Sequence, residues 1–191
     1  MRQSKRTEIL EAGSRVVQRE GVTALTYESV AQEAGVTKGG LLYHFPSREA
    51  LLLALHEHVA GQWEAAMEAD AGGTAAEVDA ASRFRAYARL HDTPARAELL
   101  LMLEASEDQA ASAVWEAVHE RWAPPVPQSA GAEPSAGAAE GREHDAAAVR
   151  AFLARLAADG LWLYEALDEE GLDPALHARL LREMTRMASG D

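Results

Sequence analysis

The chain contains no cysteine, which excludes a disulfide framework and any thiolate metal site. No apolar run is long enough to cross a bilayer. The opening MRQSKRTEIL is polar and charged, without the apolar core of a signal peptide. A cytoplasmic protein that does not enter the membrane is therefore expected. No stretch alternates apolar and polar residues as a half-buried strand does. There is no G-x-S-x-G, P-loop or H-E-x-x-H motif. Glu116-Ala-Val-His119 is the only Glu-x-x-His pair, and a helical di-iron site needs two. His56 and His58, two residues apart, point to different faces of a helix and cannot readily share a metal. These absences predict a protein with no enzymatic activity, no metal and no cofactor.

What is present is globular in character: 48% of the 191 residues are apolar and 26% are charged. The net charge of −13 argues against general nucleic-acid binding, but the charge is unevenly spread. Residues 1–48 hold seven Lys/Arg against five Glu, a surplus of two positive charges, so the remainder carries −15. Such asymmetry fits a head that faces nucleic acid on an acidic body.

Helical spacing and punctuation predict an all-α chain of about nine helices. Ser4 or Thr7 opens the first, in which Ile9, Ala12, Gly13, Val16 and Val17 recur at helical spacing, and Gly21 ends it. Thr26 caps TYESVAQEA, which Gly35 stops. Thr37 caps a short third helix ended by Pro46. Ser47 caps a fourth from Arg48 to about Met67, and the linker ADAGGTA follows. The fifth runs from about Ala75 to Leu90. Thr93-Pro94 opens PARAELLLMLEAS, and a seventh helix covers about Gln109 to Trp122. Residues 124–144 are rich in Pro, Ala, Gly and Ser and read as a mobile loop. An eighth helix runs from about Asp145 to Leu167, and Asp173-Pro174 starts a ninth that ends near Ser189. A domain of residues 1–46 followed by one of residues 47–191 is the expected organisation.

The third helix is poor by itself. It is short, and Gly39 and Gly40 weaken it further. The tight turn AGVT joins it to the second helix, which is the helix-turn-helix arrangement whose second helix enters the DNA major groove. Val30, Ala34, Val36, Leu41 and Phe45 can clamp it from below against Leu25 and the first helix. Thr37 and Lys38 stand at its N-terminus, where free N–H groups and the helix dipole favour phosphate.

The segment GVTALTYESVAQEAGVTKGGLLYHFPSREALL strongly resembles the DNA-binding head of the tetracycline-repressor (TetR) family of transcriptional regulators. The resemblance covers about a quarter of the chain, roughly residues 7–55. More loosely, ADGLWLYEAL followed by DPALHARLLREM resembles the last two helices of such regulators. The resemblance implies a three-helix, homeodomain-like helix-turn-helix head and a helical body that binds a small ligand and dimerises. It assigns phosphate or base contacts to Thr26, Thr37, Lys38, Gly39, Gly40, Tyr43, His44 and Arg48, and leaves Tyr27, at a position often aliphatic in the family, as core, a phosphate contact or both. Leu42 departs from the pattern, standing where many members carry tyrosine, and Arg48 replaces a more usual lysine. The implied partners are a double-stranded palindromic operator, a small-molecule effector and a second copy of the chain.

In the body, Val149, Phe152, Leu153, Leu156, Gly160, Leu163 and Leu167, with Leu180, Leu181 and Met184, form apolar stripes at helical spacing. By resemblance these stripes pair the two subunits. Trp63, Met67, Phe84, Tyr87, Met102, Trp115, His119 and Trp162 are candidates for the pocket. The acidity of the body admits a cationic effector. A helical adaptor without DNA binding is the alternative class, with a metal-dependent bundle enzyme behind it. The intact Thr37, Lys38 and Arg48 count against the adaptor.

Overall fold

A computed structural model describes residues 4–90, 96–128, 145–167 and 171–190. The expected Thr93-Pro94 helix start and residues 129–144 of the expected loop lie outside these. The described residues are all-α, with no strand among them. In chain order the helices are α1 (Lys5–Glu20), a single 3-10 turn (Val22–Ala24), α2 (Tyr27–Ala34), α3 (Lys38–His44), α4 (Arg48–Ala71) and α5 (Ala80–Arg89). They continue with α6 (Arg96–Ala105), α7 (Gln109–Trp122), α8 (Ala146–Leu167) and α9 (Pro174–Ser189). Among the described residues, no helix is long and apolar enough to cross a membrane.

Local chemistry accounts for the boundaries. Ser4 caps α1, its hydroxyl accepting from the Thr7 N–H at 3.2 Å. Gly21 (φ 89°) and Gly35 (φ 65°) end α1 and α2 in conformations that side chains disfavour. α4 continues to Ala71, beyond the expected Met67, and Gly72 (φ 79°) follows it. α5 starts five residues later than the expected Ala75 because residues 74–77 form their own turn. There the Thr74 N–H and hydroxyl both donate to Glu77 Oε2, at 2.9 and 2.8 Å. Asp79 then caps α5, accepting from the Ser82 N–H at 2.7 Å.

The chain divides into two compact units, with cuts at 65/66, 93/94 and 118/119. The first holds α1 to α3, most of α4, α6 and the larger part of α7. Its core includes Ile9, Val16, Val17, Leu25, Val30, Leu41, Phe45 and Leu55. In it Gln18 joins α1 to α6: its side-chain oxygen accepts from the Ala97 N–H at 2.6 Å, and its carbonyl accepts from Arg96. The second unit holds the end of α4, α5, the end of α7, α8 and α9. In it α9 packs against α8 and α5, with Phe84, Tyr87, Trp122, Ala154, Ala158, Trp162 and Met184 buried.

Candidate functional site

The helix-turn-helix is built from two caps and a clamp. The Thr26 hydroxyl accepts from the Ser29 N–H at 3.1 Å, and Ser29 Oγ accepts from the Thr26 N–H at the same distance. This reciprocal box fixes the start of α2. Thr37 caps α3 by accepting from the Gly40 N–H at 3.0 Å. Below α3, Leu41 and Phe45 are buried completely or almost so. Above it, Lys38, Gly39, Gly40, Leu42 and Tyr43 are exposed, and Tyr43 is 86% exposed. His44 is half-buried, and the Tyr43 ring meets it edge-on at 5.2 Å. A weak helix is thus held from beneath while its outer face stays open.

Three side chains in this head are already engaged. Tyr27 is half-buried, and its hydroxyl donates to the Phe45 carbonyl at 2.8 Å, pinning the exit of α3 to the start of α2. Burial, with the Glu49 carboxylate, pushes its phenol up. Lys38 is ion-paired with Glu28, whose carboxyl is held below the usual range by that ammonium. Arg48, which the resemblance assigns to phosphate, turns its guanidinium inward. It donates to the carbonyls of Leu25 (3.0 Å) and Val22 (3.2 Å) and so ties the first turn of α4 to the 3-10 turn.

Two residues not singled out from sequence belong to this region. Glu28 restrains Lys38, and Arg6 stands over the Phe45 ring at 5.1 Å. Both pairings join different helices, so no periodicity within one helix signals them. Glu33, accepting from Arg15 at 2.7 Å and Arg19 at 3.1 Å, locks α2 to α1, and Arg15 holds its carboxyl below the ordinary value.

The candidate pocket residues fall into both units. In the first, the Trp63 and Trp115 rings meet edge-on at 5.1 Å. The Trp115 indole donates to His56 Nδ1 at 3.1 Å. An indole N–H can only donate, so the His56 proton sits on Nε2, which donates to Glu104 at 3.0 Å. Met102 is half-buried in the same unit. In the second unit, Met67 and Trp162 are buried. The buried Tyr87 donates to Asp159, stacks near Phe84 at 6.5 Å and meets His119 at 6.0 Å. Burial first, then Asp159, pushes the Tyr87 phenol well up, while burial pushes His119 down. Of the three cavities described in this unit, Phe84 lines one, of 420 Å³, with Trp122, Pro124 and Pro125. The other candidate pocket residues line none of the three. Among the described residues, no group of three His, Asp or Glu side chains stands together as a metal site.

The candidate dimer residues divide by exposure. Leu153, Leu156, Gly160, Leu163 and Leu167 lie open along one face of α8, joined by Tyr164, with Leu167 70% exposed. Ala154, Ala158 and Trp162 fill the opposite face. Val149, Phe152, Leu180 and Leu181 are half-buried, and Met184 is buried within its own chain.

An all-helical chain whose capped, glycine-opened α3 stands clear on a tight turn after α2 is of the helix-turn-helix class. The family description "Bacterial regulatory proteins, tetR family" matches residues 9–55, and "Tetracyclin repressor-like, C-terminal domain" matches residues 135–189. The chain belongs to the tetR family. It is 35% identical over 75 residues to the HTH-type transcriptional regulator TtgR of Pseudomonas putida, a match covering 36% of each chain. The matched stretches span between 20% and 36% of the length of such curated relatives. In fold it is similar to the putative transcriptional regulator SCO7518 of Streptomyces coelicolor, with a TM-score of 0.62, 20% identity, and coverage of 98% of this chain and 99% of that one. It is also similar to the multidrug binding protein EbrR complexed with malachite green, with a TM-score of 0.61, 20% identity, and coverage of 97% and 98%.

Proposed function

We propose that the chain is a DNA-binding transcriptional regulator, a repressor that leaves a palindromic operator when a small molecule binds its body. The observation that carries this reading is α3, a seven-residue helix clamped by Leu41 and Phe45 beneath. Its outer face presents Lys38, two side-chain-free glycines and the exposed Tyr43. Residues 1–46 form the head and residues 47–191 the ligand-binding and dimerising body, working in the cytoplasm. Thr26, Thr37 and Lys38 meet phosphates, and Gly39 and Gly40 let the backbone approach the groove, where Tyr43 and His44 face the bases. Two copies pair through the leucine face of α8 and place their α3 helices in successive major grooves.

The effector is a small organic molecule that contacts some of the body aromatics, among them Phe84, Tyr87 and His119. Its leverage on DNA runs through α4. Arg48 grips the Leu25 and Val22 carbonyls, so a shift of the first turn of α4 drags the head backbone with it. A preference of a few kcal/mol for the non-binding conformation releases the operator.

Selection from random duplex DNA with the full-length protein tests the proposal. A two-fold symmetric site with half-sites about one helical turn apart is expected, released in turn by members of a compound panel. Failure to enrich any symmetric sequence would overturn the reading.

A further inference from the structure

In an acidic body, four arginines line one groove. Arg85 and Arg89 occupy successive turns of α5, and Arg182 and Arg186 successive turns of α9, around a cavity of 420 Å³. Ala88, Ala178 and Leu181 give it an apolar lining, short enough to leave the groove open. The start of α5 shares a cavity with the end of α9, and the end of α5 shares one with the start of α9, so the two helices run antiparallel and their arginine rows face each other.

Folding alone does not favour this arrangement. Like charges at i,i+4 destabilise a helix, and here two such pairs face one another. Two of the four charges are compensated: Arg89 pairs with Asp70 at 3.2 Å and Arg186 with Glu183 at 3.1 Å. Arg85 donates to the neutral Ser82 hydroxyl and feels the Asp79 carboxylate that caps α5, without a direct ion pair to it, and among the described residues Arg182 has no ion-pair partner. The Thr185 hydroxyl is spent on the Leu181 carbonyl. Among the described residues, two of the four guanidiniums lining the groove are thus without a direct ion pair, on a chain of net charge −13.

We propose that this α5–α9 groove binds a small polyanion, a molecule bearing clustered phosphate groups, which Arg85 and Arg182 grip from the two sides. Guanidinium forks match phosphate oxygens in pairs, and charge-assisted bonds of this kind are the strong ones. The volume suits a ligand of nucleotide size. A second cavity of 530 Å³, lined by Leu90 and His177, shares Arg89, Ala178 and Leu181 with the first and offers room for an uncharged remainder. This site is distinct from the helix-turn-helix and from the candidate pocket aromatics, and it does not depend on the DNA-binding reading.

Calorimetric titration of the full chain with inorganic tripolyphosphate at low salt tests it, using wild type, an Arg85→Ala/Arg182→Ala variant and an Arg150→Ala/Arg179→Ala control. One site per chain is expected. Affinity should fall at least about tenfold in the groove variant, as loss of charge-assisted contacts implies, and stay unchanged in the control. Tripolyphosphate should raise the Tm of wild type and not that of the groove variant. Removing like charges does not threaten the fold, so the unliganded Tm of the groove variant should match or exceed that of wild type. Absence of binding, or equal loss in both double variants, would overturn the proposal. So would loss of non-operator duplex binding in the groove variant with tripolyphosphate binding intact, which would assign the arginines to a nucleic-acid backbone instead.

Discussion

Lys38 and Arg48 carry the same charge ten residues apart, yet their surroundings predict opposite phenotypes. The Lys38 ammonium is exposed and answers only Glu28, also exposed, so its removal costs little stability. Lys38→Ala should weaken binding to all duplex sequences and lower the slope of log K against log salt by about one per chain, with Tm nearly unchanged. Glu28→Gln should do the reverse, strengthening binding by freeing the ammonium. Arg48→Ala leaves the Leu25 carbonyl without its donor, while the Val22 carbonyl keeps the Leu25 N–H, a loss of about 1–3 kcal/mol in this partly buried setting. Thermal denaturation should register it before any DNA is added. A normal Tm with lost DNA binding would return Arg48 to the phosphate role that resemblance assigns. His58 supplies a different readout. Its Nε2 is buried with no hydrogen-bond partner among the described residues, and burial holds the imidazole below its ordinary value. As pH falls through about 6.5, the unfolded chain takes up a proton that folded His58 refuses, so stability drops on the acid side. His119, depressed by the same cause, adds to the slope. Tm should therefore decline between pH 7.5 and 5.5, and His58→Leu should flatten part of that decline.

At the scale of the element, α3 shows what local sequence can and cannot convey. Its cap, its exit before Pro46 and its buried Leu41 and Phe45 follow from propensity and spacing, and the structure places each where those rules do. The caps at Thr26 and Asp173 and the glycine stops at Gly21 and Gly35 are legible for the same reason, since each acts within one turn of its own position. The start of α5 was not legible: Thr74 and Glu77 close a turn of their own, while Asp79 supplies a better cap. Neither was the inward turn of Arg48, whose acceptors lie more than twenty residues back, on carbonyls that any sequence would offer. Glycine separates stability from function within this helix. A methyl group added at Gly39 meets nothing within 4 Å, whereas at Gly40 it would meet Thr37 Oγ1 at 3.3 Å. Gly39→Ala should raise stability by up to about 1 kcal/mol through helix propensity. If α3 approaches DNA by its backbone, the same variant should bind the operator more weakly. A rise in Tm with undiminished affinity would remove Gly39 from the interface.

For the whole molecule, the proposed DNA binding sets a chain of net charge −13 against a polyanion. The first 48 residues carry a surplus of only two positive charges, and Lys38 is partly neutralised by Glu28. One such head gains little from counterion release, since affinity scales with the number of phosphates neutralised. In the proposed dimer, two heads on one palindrome would double the contacts, and the second would bind at the effective concentration set by the first. The open face of α8 is suited to provide that pairing. Leu153, Leu156, Leu163 and Leu167 are each more than two-fifths exposed, while Ala154, Ala158 and Trp162 already satisfy the interior. A Leu156→Glu/Leu163→Glu variant places charge at the centre of the exposed stripe and leaves the buried face untouched. It should keep its helical circular dichroism, sediment as a monomer at micromolar concentration and lose operator binding far more severely than Lys38→Ala. Sedimentation as a dimer would move the interface elsewhere. Monomers that still bound the operator tightly would show that a single weakly basic head suffices, which the charge balance argues against.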